Sequence, residues 1–495
     1  MITRAAVLGA TIAAMACGKP VPPRTDALTA TSGAAGPSPA SVPAFPTAPL
    51  PSRPYTLPEL RETVLRNGVR LVVIERHDQP IATIRVLVST SGATIAAEKP
   101  GLAGVATTLL TKGTQTRSAR QIAGDLDRLG AIFNTSVTPD WLSVSATALA
   151  EDVPVLFNLL SDLFLRPAYP EQEIDAARTR AVSEVRAAMA GANALADRYF
   201  LRELYGEAHP YGAAPSAATI AAINSQDVRA FRQAYFVPKN ALLLVAGDVD
   251  AAQVEVLARS HFGGWKGEVK PLVRLPEPTP NRAHRITLIH KPGAAQSSIR
   301  VGGLTVGPEH PDDSAIRVFV RLLCRAGAGR LSSALDRKGW TYGLGCTTSE
   351  TPSTRHVAIA FPSRLEVTDS ALALVLNVVR SMSDQPPSAE EVNAAIEAAA
   401  GSYPLARLRT LEDVGAEVAR ARMLDLPVEH VFRYPEMIRA VTQDDVNRVG
   451  RHYFRPERLQ IVVVGDAAKL IDKLEKIAPV SLYDTAARPI SRSRL

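Results

Sequence analysis

Histidine is the side chain most often asked to hold a metal or pass a proton near neutral pH, and this chain has nine: His77, His209, His261, His284, His290, His310, His356, His430 and His452. Two imidazoles that grip one ion from a single helix stand one turn apart, and no two of the nine are three or four residues apart. His284 and His290 lie too far apart along the chain to share a helical face. The cysteines offer no substitute. Cys324 and Cys346 sit in no C-x-x-C spacing, which excludes thiolate zinc sites and dithiol redox chemistry and leaves either a disulfide or two buried small residues. No G-x-S-x-G nucleophile turn occurs. One stretch does have the frame of a catalytic helix with flanking turns, "EKPGLAGVATTLLTKGT" at residues 98–114, yet Gly104, Thr107 and Thr108 in its middle carry no metal ligand and no base.

The elements that position such a helix announce themselves by repetition. "INSQDVRAFRQAYFVPKNALLLVAGDVD" near residue 223 and "VTQDDVNRVGRHYFRPERLQIVVVGDAA" near residue 441 align at a constant offset of 218, pairing Asp227 with Asp445, Tyr235 with Tyr453, Pro238 with Pro456 and Asp248 with Asp466. In each copy a polar cap, Asn224 or Thr442, precedes a helical stretch, then Tyr-Phe-x-Pro, then an apolar strand ending in Gly-Asp. One repeat of this length predicts two homologous domains and not a solenoid, whose units run about 20 to 50 residues. Each half also opens on apolar runs split by a polar turn and then carries helical stretches such as "DVPVLFNLLSDLFLR". The pattern predicts an α+β protein in which each domain is a mixed or antiparallel sheet covered by helices, the two closing as a clamshell. The domains fall at 57–269 and 285–482, with a Pro-rich linker at 270–284 between them and a basic tail at 483–495.

Residues 1–17 read as an export signal: Arg4, an apolar run from Ala5 to Ala16 that is too short to span a bilayer, then Cys17. "AMAC" resembles the lipobox of bacterial lipoproteins, whose cysteine is acylated. Gly18 after it, in place of Asp, implies an outer-membrane anchor facing the periplasm. Residues 18–56, dense in Pro, Ala, Ser and Thr, are expected to form a disordered tether. The 56 basic and 49 acidic residues are interspersed, no run of five or six Lys and Arg occurs, and aromatics are 5%. A surface for tracking nucleic acid is thereby excluded.

Five motifs in order carry a resemblance: "GLAGVATTLLTKGT", "HPYG" at His209–Gly212, "YFVPKN" followed by "GD", "KPGAAQSSI", and "GRLSSALDRKGWTYGLG". Together, over residues 57 to 482, they resemble the pitrilysin or insulinase family of zinc peptidases, in the branch that includes mitochondrial processing peptidase and two-domain bacterial relatives. The resemblance implies an inverted H-x-x-E-H motif in the first piece, with two His on the zinc and a Glu that takes a proton from the metal-bound water. Here the first His falls on Gly104, the Glu on Thr107 and the second His on Thr108. The family's third ligand, a Glu well downstream, falls on Glu184, which is kept, while an acidic residue often found two turns earlier is replaced by Ala177. A complete zinc site contributes about 10–16 kcal/mol. One ligand of four supplies about 3–4 kcal/mol, a millimolar dissociation constant. The resemblance therefore implies zinc in active relatives and no cofactor here.

Active relatives also hold the substrate backbone with an Arg and a Tyr seven positions later. This chain reads "LDRKGWTYG", one residue shorter: Tyr342 is kept, and Asp336 stands where the Arg belongs unless Arg337 replaces it. Some members of the family work as pairs of one active and one silent subunit, and the silent one has a Gly-rich loop that handles substrate. Gly327 and Gly329 in "CRAGAGRLSS" are either that loop or a plain turn between helices. The expected function is a catalytically silent subunit that pairs with an active zinc-peptidase paralogue in the bacterial envelope, with Tyr342, Arg337, Gly327 and Gly329 as candidate peptide contacts. Two alternatives stay open: a zinc peptidase acting through unrecognised ligands, and a structural scaffold.

Overall fold

The stretches Ala241–Gly247 and Gln460–Gly465 are buried at every residue, so each strand must be covered on both faces. A computed structural model, describing residues 59–90, 99–269, 275–279, 284–341 and 343–495, shows what covers them. The export signal with Cys17, the tether, most of the linker and Tyr342 lie outside the described residues.

The first half runs β1 (Glu59–Val64), β2 (Arg70–Glu75), β3 (Ile81–Ser89), α1 (Leu102–Thr108), α2 (Ala119–Arg128), β4 (Ile132–Val137) and β5 (Trp141–Leu149). Helices α3 (Val153–Leu165), α4 (Glu171–Ala190), α5 (Ala192–Tyr205), α6 (Ala217–Ala221) and α7 (Ser225–Tyr235) lead to β6 (Ala241–Gly247) and α8 (Ala251–Phe262). The second half begins β7 (Ile286–His290), β8 (Gln296–Thr305), α9 (Asp312–Cys324), α10 (Arg330–Asp336), β9 (Gly345–Thr348) and β10 (Arg355–Arg364). It continues through α11 (Thr368–Asp384), α12 (Ala389–Arg407), α13 (Leu411–Met423), α14 (Glu429–Arg439) and α15 (Gln443–Tyr453) to β11 (Gln460–Gly465), α16 (Ala467–Leu474) and β12 (Val480–Tyr483).

Two six-stranded mixed sheets result, ordered β1-β2-β6-β3-β5-β4 and β12-β7-β11-β8-β10-β9. In each, the returning strand slots between the two opening ones. β6 runs parallel to β2 and antiparallel to β3, as β11 does to β7 and β8. Ile84 lies opposite Val245 in one sheet and Ile299 opposite Val463 in the other, so the returning strands keep the offset of 218 while the opening strands are offset by 215. The α+β class and the paired sheets agree with the sequence expectation.

The outer faces are packed conventionally. Leu71, Val73, Ile84, Leu243 and Val245 meet Leu156, Leu160 and Phe164 of α3, while Leu288, Ile299, Ile461 and Val463 meet Leu372, Val375 and Val379 of α11. The inner faces are covered by exchange. Helix α13 of the second half lays Val414, Val418 and Ala421 on Val72, Leu242 and Leu244 of the first sheet. Helix α5 of the first half lays Leu195, Tyr199 and Phe200 on Ile289, Val462 and Val464 of the second. A charge pair marks each crossing: Arg85 on β3 reaches Glu412 at 3.6 Å, and Arg300 on β8 reaches Asp197 at 2.6 Å. Phe200→Ala is expected to cost about 3–5 kcal/mol, because Phe200 is almost wholly buried in this exchanged layer; denaturant unfolding would show it as a lower midpoint.

Candidate functional site

Helix α1 is the element that the sequence singles out. Leu102, Val105, Ala106, Leu109 and Leu110 point into the core, which fixes how the helix and its following turn are rotated. Its start is set by Gly101 at φ 102°, where an added Cβ would stand 2.8 Å from Ile220 Cγ1; only glycine suits both the backbone and the contact. Lys99, just before it, forms an ion pair with Asp227 at the start of α7.

The three positions expected to carry the catalytic groups are intact as backbone and empty of chemistry. Thr107 is 2% exposed, and its hydroxyl donates to Ala103 O at 2.8 Å. The exposed Thr108 does the same to Gly104 O at 3.0 Å. These bonds engage the hydroxyl hydrogens with the helix's own carbonyls. A Cβ built on Gly104 meets nothing within 4 Å, so a side chain can start there without a clash. Helix α4 packs against α1 and carries Glu184 on its exposed side, where the carboxylate makes no hydrogen bond or ion pair among the described residues. Ala177, at the position of the family's earlier acidic residue, is instead buried in the core. A glycine, a threonine and one carboxylate do not fit zinc, whose sites take nitrogen, sulfur or carboxylate donors from three or four side chains. Among the described residues no group of three His, Cys, Asp or Glu converges as a metal site.

In the second half, Arg337 follows the last turn of α10, exposed and without an ion pair among the described residues. Gly327 and Gly329 form the tight turn between α9 and α10. The amides of Ala328 and Gly329 both donate to Arg325 O, at 3.1 and 2.6 Å. Gly327 has φ 70°, and a Cβ on Gly329 would approach Leu323 O and Arg325 N at 2.5 Å. Turn geometry alone thus demands both glycines. The two cysteines are joined: a disulfide ties Cys324, the last residue of α9, to Cys346 on β9, with Cα atoms 6.0 Å apart.

The "HPYG" loop forms a polar seam between the halves, a role that its motif did not disclose. Tyr211 OH donates to buried Asp140 Oδ1 at 2.7 Å, and Tyr211 N donates to His209 Nδ1 at 3.0 Å. The Tyr205 ring stacks on His209 with centroids 5.1 Å apart, and its hydroxyl lies 3.0 Å from His356 Nδ1 on β10 of the other half. Burial pushes the Asp140 carboxyl up to about 6 against the opposing pull of the Tyr211 bond. Burial likewise pulls His356 down to about 4, and lowers His209.

Paired sheets of matching strand order and helices exchanged between them make up a duplicated α+β fold. The profile described as Insulinase (Peptidase family M16) matches residues 70–209, and that described as Peptidase M16 inactive domain matches residues 222–399. The chain belongs to the insulinase family of peptidases, as its five motifs implied. An uncharacterised zinc protease of Mycobacterium tuberculosis is 26% identical over 425 residues, covering 81% of this chain and 92% of that protein. The zinc protease PqqE of Helicobacter pylori is 26% identical over 302 residues, 57% of this chain and 65% of its own. A solved peptidase M16 inactive domain from Pseudomonas fluorescens shares the fold with a TM-score of 0.76 at 20% identity, covering 82% of this chain and 98% of that one. The first half of the periplasmic protease PqqL from Escherichia coli does so at 0.68 and 14%, covering 84% and 94%.

Proposed function

We propose that the chain is a catalytically silent peptidase-like subunit that pairs with a zinc-bearing paralogue in the bacterial envelope and lines part of the chamber in which peptides are cut. The observation that carries this reading is helix α1: its frame is kept, yet Gly104, Thr107 and Thr108 occupy the ligand and base positions. The paired sheets supply a chamber wall without a reaction centre. Two features support an envelope setting: the lipobox-like segment ending at Cys17, and the Cys324–Cys346 disulfide, which suits an oxidising compartment. The Escherichia coli neighbour is itself named a periplasmic protease.

Purified alone, the chain is expected to hold no stoichiometric zinc and to show no chelator-sensitive peptide cleavage. Co-expressed with a paralogue bearing an intact H-x-x-E-H, it is expected to co-purify, and the pair is expected to cleave peptides faster than the paralogue alone. Zinc at one per chain with turnover by this chain alone would assign the reaction to unrecognised ligands. Association that leaves cleavage unchanged would assign a scaffold role.

A further inference from the structure

Arg317, Arg321 and Arg325 recur every fourth residue along α9 and its C-cap, so they form one stripe on the helix surface. The stripe lines a pocket of about 440 Å³, closed on its other sides by β9 and by Ser402, Tyr403 and Arg407 of α12. The walls are braced. The Cys324–Cys346 disulfide fixes the end of α9 to β9, and Tyr403 stacks on Tyr434 with centroids 4.2 Å apart.

The charges around this pocket do not balance locally. Glu350 is its one lining carboxylate, and it is already engaged by Arg355 and Arg420 at 3.1 Å each and by Arg317 at 3.6 Å. Arg317 also pairs with Asp313 at 2.9 Å. Arg321 and Arg325 have no carboxylate partner among the described residues; each reaches only a backbone carbonyl, Ala398 O and Ala394 O, at 3.5 Å. Arg321 Nε is buried with no partner at all. A guanidinium carries five donors, so two of them left this far short of acceptors beside a cavity form a receptor for an oxyanion.

Internal symmetry says which cavity this is. Helix α9 follows β8 as α1 follows β3, and α12 begins 218 residues after α4, which places Ser402 of α12 where α4 has Glu184. The pocket therefore lies between the second-half counterparts of α1 and α4. Beside it, β9 is the edge strand of its sheet among the described residues, with one side available to pair with an extended chain.

We infer that this pocket binds the side-chain carboxylate of an acidic peptide, with Arg321 and Arg325 as its forks. The inference rests on the peptide-handling role proposed above for the peptide, and on the pocket alone for the charge. Planar guanidinium forks match carboxylates, and the edge strand supplies the backbone contacts that a free anion cannot use.

The test is fluorescence anisotropy on the full chain with two labelled extended peptides, identical except for a central Glu or Gln. The Glu peptide is expected to bind at least about tenfold more tightly, the difference that one or two charge-assisted bonds supply. Arg321→Gln with Arg325→Gln is expected to erase that preference, while Arg321→Lys with Arg325→Lys keeps part of it and controls for packing, with thermal unfolding checked for each. Equal binding of the two peptides, or no binding of either, would overturn the pocket while leaving co-purification with a paralogue as a separate question. Inorganic phosphate binding as tightly as the Glu peptide would overturn the peptide assignment.

Discussion

The combined substitution Gly104→His, Thr107→Glu and Thr108→His is expected to produce a chain that binds one zinc ion with a dissociation constant in the micromolar range or tighter. Positions 104 and 108 stand one turn apart on α1, and the helix is held by the buried Leu102, Val105, Leu109 and Leu110 regardless of what occupies them. Nothing lies within 4 Å of a Cβ at 104, and Glu184 on the adjacent α4 is exposed and without an ion pair among the described residues. Three ligands of a site worth about 10–16 kcal/mol supply roughly 8–12 kcal/mol, against about 3–4 for the lone carboxylate. The gain is about a thousandfold or more. Position 107 sets the side effect: it is 2% exposed, so an unneutralised Glu there costs a few kcal/mol. The variant is thus expected to unfold at a lower temperature than the parent in chelator and to recover when zinc is added. Removing Glu184 by Glu184→Ala in the same background is expected to weaken zinc about a hundredfold or more. A triple variant whose unfolding ignores zinc would show that the three positions do not converge.

What could be read from the sequence was whatever is encoded locally or by repetition. Asn224 and Thr442, recognised as caps, both accept from the amide three residues on, and Asp227 and Asp445 close the capping boxes. The apolar runs ending in Gly-Asp became the central strands, because continuous burial leaves a mark that needs no partner to be seen. The exchange of α5 and α13 left no such mark. Arg85 meets Glu412, and Arg300 meets Asp197, across the molecule, and a residue's own neighbourhood in sequence does not name a partner a hundred or more positions away.

The candidate site divides the same way. That Gly104, Thr107 and Thr108 share one helix was legible because the stretch around them is contiguous. Gly327 and Gly329, offered as peptide contacts, turn out to be required by the α9–α10 turn, a demand of backbone geometry that glycine composition alone cannot distinguish from function. Asp140 was invisible: an aspartate in a strand turn looks solvated until Tyr211 is found to close over it. The arginine stripe at 317, 321 and 325 was hidden by bulk composition, since 56 basic residues interspersed with 49 acidic ones do not show that two guanidiniums lack a carboxylate partner among the described residues in one pocket.

Asp140→Asn is expected to stabilise the protein by about 1–3 kcal/mol at pH 7.5 and to do nothing at pH 4, whereas His356→Gln is expected to show the opposite pattern, its largest gain over the parent falling near pH 4. The signs follow from proton binding. The Asp140 carboxyl is raised from its ordinary value to about 6 in the folded protein, so between about 4 and 6 the folded state holds a proton that the unfolded chain has released. Stability from this group therefore falls as pH rises through that window, and the buried charge is fully present above it. Asparagine keeps an oxygen for the Tyr211 hydroxyl and removes the charge. His356 is lowered to about 4, so over nearly the same window the unfolded chain holds the extra proton, and stability rises with pH. His209, lowered in the same direction by burial, adds to the His356 side. Asp140 thus opposes the two histidines, and the parent's stability rises less steeply with pH than that of Asp140→Asn. Urea unfolding of the parent and both variants at pH 4, 6 and 7.5 reads the differences directly. A loss of stability in Asp140→Asn at pH 7.5 would mean that the Tyr211 hydroxyl stabilises the carboxylate by more than its burial costs, so that the group is not raised in the folded protein.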